Sequence, residues 1–362
     1  MNRLRQLSGL LLALALPIAA PCLADAKAVG DVLESPAMRI LNAERAVFTD
    51  LARAGERLVA AGERGLVLLS DDNGQHWRQA SVPVSVGLTA VQFVDARTGW
   101  AVGHAGVVLA TTDAGETWTL QLDGRRAARL ELEAARRELP LATDAEAAEA
   151  RVQVAERLVE EGADKPFLAL DFSDARQGLV VGAYGLAFRT GDGGATWQSA
   201  VGAIDNPMGL HLYAVARQGR DWLLAGEQGY LARSRDGQRF EALQSPYEGT
   251  FFTLASRADG SLLIGGLKGH AFVLAPGADL AEALPVAAPV SFSDAVRLAD
   301  GRTLLVNQAG GLFASLPGRL VPALPPTGKP LSGAVQAADG SLVLAGFTGL
   351  SRLPLPAVSP SE

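Results

Sequence analysis

The sequence predicts an all-β fold: a seven-bladed β-propeller with a helical hairpin inserted between blades 2 and 3. Three observations predict it. A G-x-x-G turn recurs down the chain, a second turn with Asp, Gly and Trp follows its first three copies, and one repeat interval is doubled by a helical stretch. The G-x-x-G turns are Gly62-Glu63-Arg64-Gly65, Gly103-His104-Ala105-Gly106, Gly182-Ala183-Tyr184-Gly185 and Gly226-Glu227-Gln228-Gly229. Weaker copies are Gly266-Leu267-Lys268-Gly269, Asn307-Gln308-Ala309-Gly310 and Gly346-Phe347-Thr348-Gly349. Their first positions are separated by 41, 79, 44, 40, 41 and 39 residues. Apart from the double step, this is the period of about 40 to 45 residues of a four-stranded propeller blade. Apolar runs such as Trp100-Ala101-Val102 and Val107 to Ala110 flank the turns and have the length of hairpin strands.

The second turn reads Ser70-x-Asp72-x-Gly74-x-x-Trp77, Thr111-x-Asp113-x-Gly115-x-x-Trp118 and Thr190-x-Asp192-x-Gly194-x-x-Trp197. A copy shortened by one residue is Ser234-x-Asp236-Gly237-x-x-Phe240. The carboxylate accepts backbone N–H bonds within the turn, and Gly supplies the positive φ. The aromatic ring anchors the outer blade. These residues are therefore read as structural. The motif is the Asp-box, or BNR, pattern, and over Ala46 to Leu353 the chain resembles the Asp-box propellers related to the photosystem II stability and assembly factor. The resemblance implies a non-catalytic scaffold that assembles or stabilises an integral membrane complex. In phototrophs that complex is photosystem II. The helical insertion and the loss of the Asp-box after Phe240 depart from the pattern, so a transporter-like membrane client fits equally well.

At the N-terminus, Arg3 and Arg5 precede an apolar run from Leu7 to Ala20, and Cys22-Leu23-Ala24 follows. This reads as a secretory signal peptide cleaved after Ala24, so that residues 1–24 are removed and the chain is periplasmic or secreted. Cys22 is the only cysteine, so the mature chain is expected to hold neither disulfides nor thiolate metal sites. Loss of Arg3 and Arg5 takes the formal charge from −7 to −9. So acidic a chain, with arginines concentrated in one short segment, is not expected to bind nucleic acid. It is expected to be monomeric by itself.

Residues 25–45 read as a leader with a short strand at Met38-Arg39-Ile40-Leu41. The last repeat offers three strands, Ala334-Gln336, Leu342-Ala345 and Leu350-Leu353, before Pro354 and Pro356 break the pattern. Met38-Leu41 is therefore expected to supply the fourth strand of the last blade and close the ring. The propeller proper spans 46–353, with 354–362 as a tail. The doubled step holds an insertion at about 123–164, rich in Ala, Leu, Glu and Arg. One helix is expected from Gly124 to Leu139 with Ala127, Leu130 and Ala134 on its apolar stripe. Thr143-Asp144-Ala145-Glu146 reads as the capping box of a second, ending near Gly162, with Ala147, Val154 and Leu158 on its stripe. The first carries Arg125, Arg126, Arg129, Arg136 and Arg137 and the second is acidic, so an antiparallel, charge-complementary hairpin is expected. Strand alternation places it on the face of the G-x-x-G turns, beside the mouth of the ring.

Two surfaces are candidates for binding. One is the set of G-x-x-G turn residues Arg64, His104, Tyr184, Gln228, Lys268, Gln308 and Phe347, read as ringing the propeller mouth. The other is the arginine row of the hairpin, which either docks a partner or pairs with the acids of the second helix. A catalytic reading has its precedent in the sialidases, which share the Asp-box. Arg39-Ile40-Leu41 resembles their Arg-Ile-Pro motif with Leu in place of Pro, and no Tyr–Glu pair stands in a recognisable motif. A sialidase-like hydrolase or carbohydrate-binding propeller is the alternative to the scaffold. The histidines His76, His104, His211 and His270 have no metal-ligand spacing, and no phosphate loop or nucleophile elbow appears. No cofactor, metal or catalytic residue is therefore expected.

Overall fold

The computed structural model describes residues 30–355. The expected signal peptide and most of the expected tail fall outside them. Seven antiparallel sheets follow one another along the chain. The first strands neighbour one another around a ring: Phe48–Ala54, Leu88–Phe93, Phe167–Phe172, Leu212–Gln218, Phe251–Ser256, Phe292–Arg297 and Leu331–Gln336. Residues from all seven line a central channel. The G-x-x-G turn joins strands 2 and 3 of each blade and the Asp-box joins strands 3 and 4, as expected.

Packing between blades explains the apolar runs. A middle strand is covered on both faces by neighbouring blades, so it reads as a continuous hydrophobic run rather than an alternating one. Gly99–Gly103 and Val108–Thr111 are buried along their whole length. The cores are shared between blades: Val59, Ala61, Val67 and Leu69 of blade 1 pack with Leu88, Val91, Leu109 and Trp118 of blade 2. Phe48, Leu58 and Leu68 pack in turn with Val335, Val343 and Ala345 of blade 7.

Each Asp-box carboxylate organises its own turn. Asp113 Oδ1 accepts from Thr111 Oγ1 (2.8 Å) and Thr117 N (3.0 Å), Oδ2 accepts from Thr117 Oγ1 (2.6 Å), and Trp118 Nε1 donates to the Gly115 carbonyl (3.0 Å). The boxes at Asp72 and Asp192 repeat the carboxylate bonds. The indole bond recurs at Trp77, but at Trp197 the Nε1 is buried without a partner.

The expected ring-closing strand is not one. Residues 36–40 form no regular structure, and among the described residues blade 7 has three strands. Met38 and Ile40 are tied instead to the outer strand of blade 1. Gln79 Nε2 donates to the Met38 carbonyl (2.9 Å), Ile40 N donates to Gln79 Oε1 (3.3 Å) and Arg39 Nη1 donates to the Gln79 carbonyl (2.7 Å). The reason lies upstream: Leu33 is buried in the core between blades 1 and 2, and Ala37 N donates to the Val82 carbonyl (3.0 Å). This anchors the leader on the blade 2 side of blade 1, away from the outer edge of blade 7. The chain touches blade 7 only further on, where Leu350 N donates to the Glu44 carbonyl (2.8 Å).

The insertion is a helical hairpin of α1 (Gly124–Glu138) and α2 (Ala145–Glu161). Asp123 caps α1 by accepting from Arg126 N (2.9 Å). Asp144, not Thr143, caps α2, accepting from Ala147 N (3.0 Å), because the carboxylate one residue later reaches the free N–H. Ala127 and Ala134 are buried as expected and Leu130 packs against the core. On α2 the buried residues are Ala155 and Leu158, while Val154 and Ala147 face solvent. The stripe is rotated because Arg151, one turn before Ala155, turns inward to Glu131 (Nε–Oε1 2.8 Å) and Glu138 (Nη1–Oε2 2.6 Å).

Candidate functional site

The first strands share a local device absent from the turns. In every blade the register with strand 2 shifts across the second residue of strand 1, at Thr49, Thr89, Leu168, Tyr213, Phe252, Ser293 and Ser332. A β-bulge leaves one residue unpaired and re-aims its side chain. All seven of these residues line the central channel, a cavity of ≈ 510 Å³, at its G-x-x-G end. That volume lies within the range of small-ligand and peptide-side-chain pockets.

The ring of bulge residues is two-sided. In blades 6, 7, 1 and 2 it carries hydroxyls, each donating to the carbonyl of the first residue of the next blade's inner strand. Ser293 reaches Leu331 (2.8 Å), Ser332 reaches Phe48 (2.6 Å), Thr49 reaches Leu88 (2.7 Å) and Thr89 reaches Phe167 (2.7 Å). These hydroxyls are spent on holding blades together. In blades 3, 4 and 5 the same position holds Leu168, Tyr213 and Phe252, apolar groups turned to the channel. Tyr213 and Phe252 meet edge to face at 5.2 Å between ring centroids. The arc runs outward through His211, 6.2 Å from Tyr213, to Tyr184, 4.8 Å from His211. Lys165 Nζ lies 5.1 Å from the Tyr184 ring, within cation–π range. Tyr184 is 58% exposed and Met208, in the loop that leads into blade 4, 69%. The result is an apolar crescent from the rim to the channel over one half of the mouth.

Deeper in the channel the wall is charged. Asp171 accepts from Gln92 Nε2 (3.0 Å) and Arg217 Nε (3.0 Å), and burial raises its pKa despite the guanidinium. Asp50 accepts from Val91 N (2.8 Å) and Leu51 N (2.7 Å), and Asp294 accepts from Ala334 N (2.9 Å) and Ala295 N (2.7 Å). Burial, and then the Asp294 charge, push Asp50 up to about 7; burial raises Asp294 also. Among the described residues no group of three or more His, Cys, Asp or Glu side chains is placed to hold a metal ion.

The structure redistributes the expected site residues. Arg64, His104, Tyr184, Gln228, Lys268, Gln308 and Phe347 are all exposed on the expected face, but none lines the channel. The reason is that their turns join strands 2 and 3, one strand out from the mouth. Only Tyr184 is brought to it, through His211. In the first five turns the third residue is left-handed, at Arg64, Ala105, Tyr184, Gln228 and Lys268, with φ between 51° and 57°. The last two turns differ, and at Asn307 the side chain takes over by accepting from Ala309 N (3.0 Å) and Gly311 N (2.7 Å).

The arginine row is also rearranged. The hairpin starts at the G-x-x-G turn of blade 2, but α1 then packs along the outer strand of blade 3 (Gln198–Ser199), so it leans outward rather than standing beside the mouth. Arg125 pairs with Asp31 (2.5 Å), Arg136 with Glu156 (2.7 Å) and Arg137 with Glu138 (3.7 Å), while Arg126 donates to the Gln121 carbonyl (3.0 Å). Arg129 is exposed. Arg39, the arginine weighed for a sialidase pocket, sits on the outer strand of blade 1 and not in the channel.

The family described as Photosynthesis system II assembly factor YCF48 matches residues 148–245, from α2 through the Asp-boxes of blades 3 and 4. The chain resembles the YCF48 assembly-factor family. Solved YCF48 structures share the fold. One, YCF48 bound to D1 peptide, has 16% identity and a TM-score of 0.61, covering 86% of this chain and 94% of that one. YCF48 from Cyanidioschyzon merolae has 13% identity and a TM-score of 0.59, covering 85% and 96%. The WD40 propeller domain of Doa1, at 10% identity and 0.59, covers 89% and 95%, so the architecture reaches well beyond YCF48-like proteins. No curated protein matches the sequence.

Proposed function

We propose that this YCF48-like propeller is an exported, non-catalytic scaffold. It works on the outer side of the cytoplasmic membrane and holds an extended segment of an integral membrane protein subunit while that subunit is assembled or stabilised. The observation that carries the reading is the two-sided bulge ring: the hydroxyl half is consumed by blade-to-blade bonds, and the half formed by Leu168, Tyr213 and Phe252 is left to meet a ligand. Aromatic shelves bury apolar side chains of an extended chain with little loss of rotamer freedom. The peptide-bound state of a YCF48 propeller supports a peptide as the ligand class. The signal-like N-terminus supports the compartment.

The test is site-specific photo-crosslinking in membranes of cells that make the protein. A photoreactive phenylalanine at Phe252 should capture an integral membrane subunit, and the same group at Thr49, across the ring, should not. Equal capture at both positions, or capture of soluble species alone, would overturn the reading. Deleting the hairpin is a poor substitute, because Ala127, Ala128 and Leu158 share a core with Trp100, Phe167 and Trp197.

A further inference from the structure

Blade 7 ends one strand short. Its third strand, Ser351–Leu353, pairs inward with Leu342–Leu344 and, among the described residues, has no strand on its outer side, where each of the other six blades carries a fourth. A cavity of ≈ 440 Å³ runs beside this edge. Leu324, Pro325 and Pro326 wall it from the blade 6 side and Leu353 and Pro354 from the edge, with Lys329 at the rim. An unpaired edge next to an apolar groove is the arrangement that takes up an extended peptide: main-chain bonds supply attraction and an alternate side chain fills the groove.

We infer that this edge accepts the fourth strand of blade 7 from a partner protein, as an extended segment with an apolar side chain facing the groove and an acidic residue near Lys329. The other blades give the template. In blade 5 the fourth strand is Glu282-Ala283-Leu284, paired with Ala271–Val273, with Leu284 buried and its two predecessors exposed. Between two and five residue pairs hold the fourth strand in the other blades, so a three-residue edge is long enough. Lys329 is exposed and stands in none of the ion pairs among the described residues, whereas Arg352 is held by Asp339 and by the Asn73 carbonyl. The free charge therefore selects an acid. A second copy of the chain is a poor occupant, because antiparallel self-pairing of Ser351–Leu353 sets Arg352 opposite Arg352. The described part of the leader is committed elsewhere, at Met38 and Ile40 to Gln79.

The probe is the six-residue peptide Asp-Leu-Ala-Glu-Ala-Leu, the sequence of residues 279–284, titrated into isotope-labelled full-length mature protein and followed by NMR. Saturable shifts at the amides of Ser351, Arg352 and Leu353 are expected. A peptide methylated on alternate backbone nitrogens, which cannot complete the ladder, should bind roughly tenfold more weakly or worse, a loss of about 1.4 kcal/mol. Lys329→Glu, an exposed charge reversal, should weaken the parent peptide by about two- to fivefold. Tyr213→Ala should leave this binding unchanged, which separates the edge from the channel crescent. No shift at the edge, or equal binding of the methylated peptide, overturns the inference; an unchanged affinity in Lys329→Glu overturns its acidic part.

Discussion

Asp50 and the Asp-box residue Asp72 sit in the same blade, and their pKa values are shifted in opposite directions. Asp72 and Asp192 are held below the ordinary carboxylate range: Asp72 chiefly by the His76 backbone N–H and side chain, Asp192, at about 2, by the Thr196 hydroxyl and backbone N–H. A depressed folded pKa stabilises above the unfolded value near 4 and loses that contribution as pH falls through the folded value. Asp50 and Asp294 are raised, so the folded state keeps protons that the unfolded chain has released. The contribution of Asp50 is complete below pH 4 and is lost as pH rises toward 7, and Asp294 acts in the same direction. The melting temperature should therefore peak under mildly acidic conditions and decline from pH 5 to pH 8, as read by calorimetry. In Asp50→Asn the decline should be much flatter; an unchanged slope would mean that the channel carboxylates do not govern it. On the other limb, Asp192→Ala should lower the melting temperature at pH 7 by a few degrees and have less effect near pH 2. The Asp-boxes were legible in the sequence because spacing and turn chemistry coincide at each copy. The bulge residues were not, because Thr, Leu, Tyr, Phe and Ser share no chemistry. Only their common place, second in each inner strand after Phe or Leu, marks them.

The helical hairpin turns on one buried carboxylate. Glu131 is buried on α1, faces Arg151 of α2 and accepts from the Ser199 hydroxyl of blade 3. Removing one partner of such a pair leaves an uncompensated charge and costs about 3–5 kcal/mol, more than the pair itself contributes. Arg151→Ala should accordingly reduce the helical signal at 222 nm and release the hairpin before the propeller melts. Adding Glu131→Gln should recover much of the loss. If the single variant keeps full helicity, the hairpin is held by Ala127, Ala155 and Leu158 alone. This hairpin's existence and length were legible through composition and a helix-capping acid. Its lean toward blade 3 was not legible, because it depends on an inward Arg that an amphipathic count assigns to the wet side. The leader failed in a similar way. Met38-Leu41 has strand propensity, yet Leu33 fixes the chain five residues earlier, so tertiary anchoring overrides local preference. Leu33→Ala should cost about 2–5 kcal/mol by denaturant titration, while Met38→Ala should be silent.

Across the described residues, the ring is closed by core packing and separate hydrogen bonds and not by a shared strand. Repeat spacing predicted seven blades and the structure has them, but spacing carries no information on how the seventh meets the first. At that seam stand the Phe48–Val335 core, the Ser332 hydroxyl on the Phe48 carbonyl, the Glu44 carbonyl under Leu350, and Arg352 donating to the Asn73 carbonyl (3.1 Å). Every other junction is also covalently continuous, so this one is expected to open first. Two serines test the idea without changing the chemistry. Ser332 and Ser293 make the same bulge hydrogen bond, at 2.6 and 2.8 Å, but only Ser332 spans the seam. Each bond contributes about 0.5–1.5 kcal/mol. Ser332→Ala should speed native-state amide exchange in blades 7 and 1 while leaving blades 3 to 5 protected. Ser293→Ala, with the chain running straight through its junction, should not produce that local opening. If the two variants exchange alike, the propeller opens as a single cooperative unit, and the missing strand of blade 7 carries no mechanical weakness.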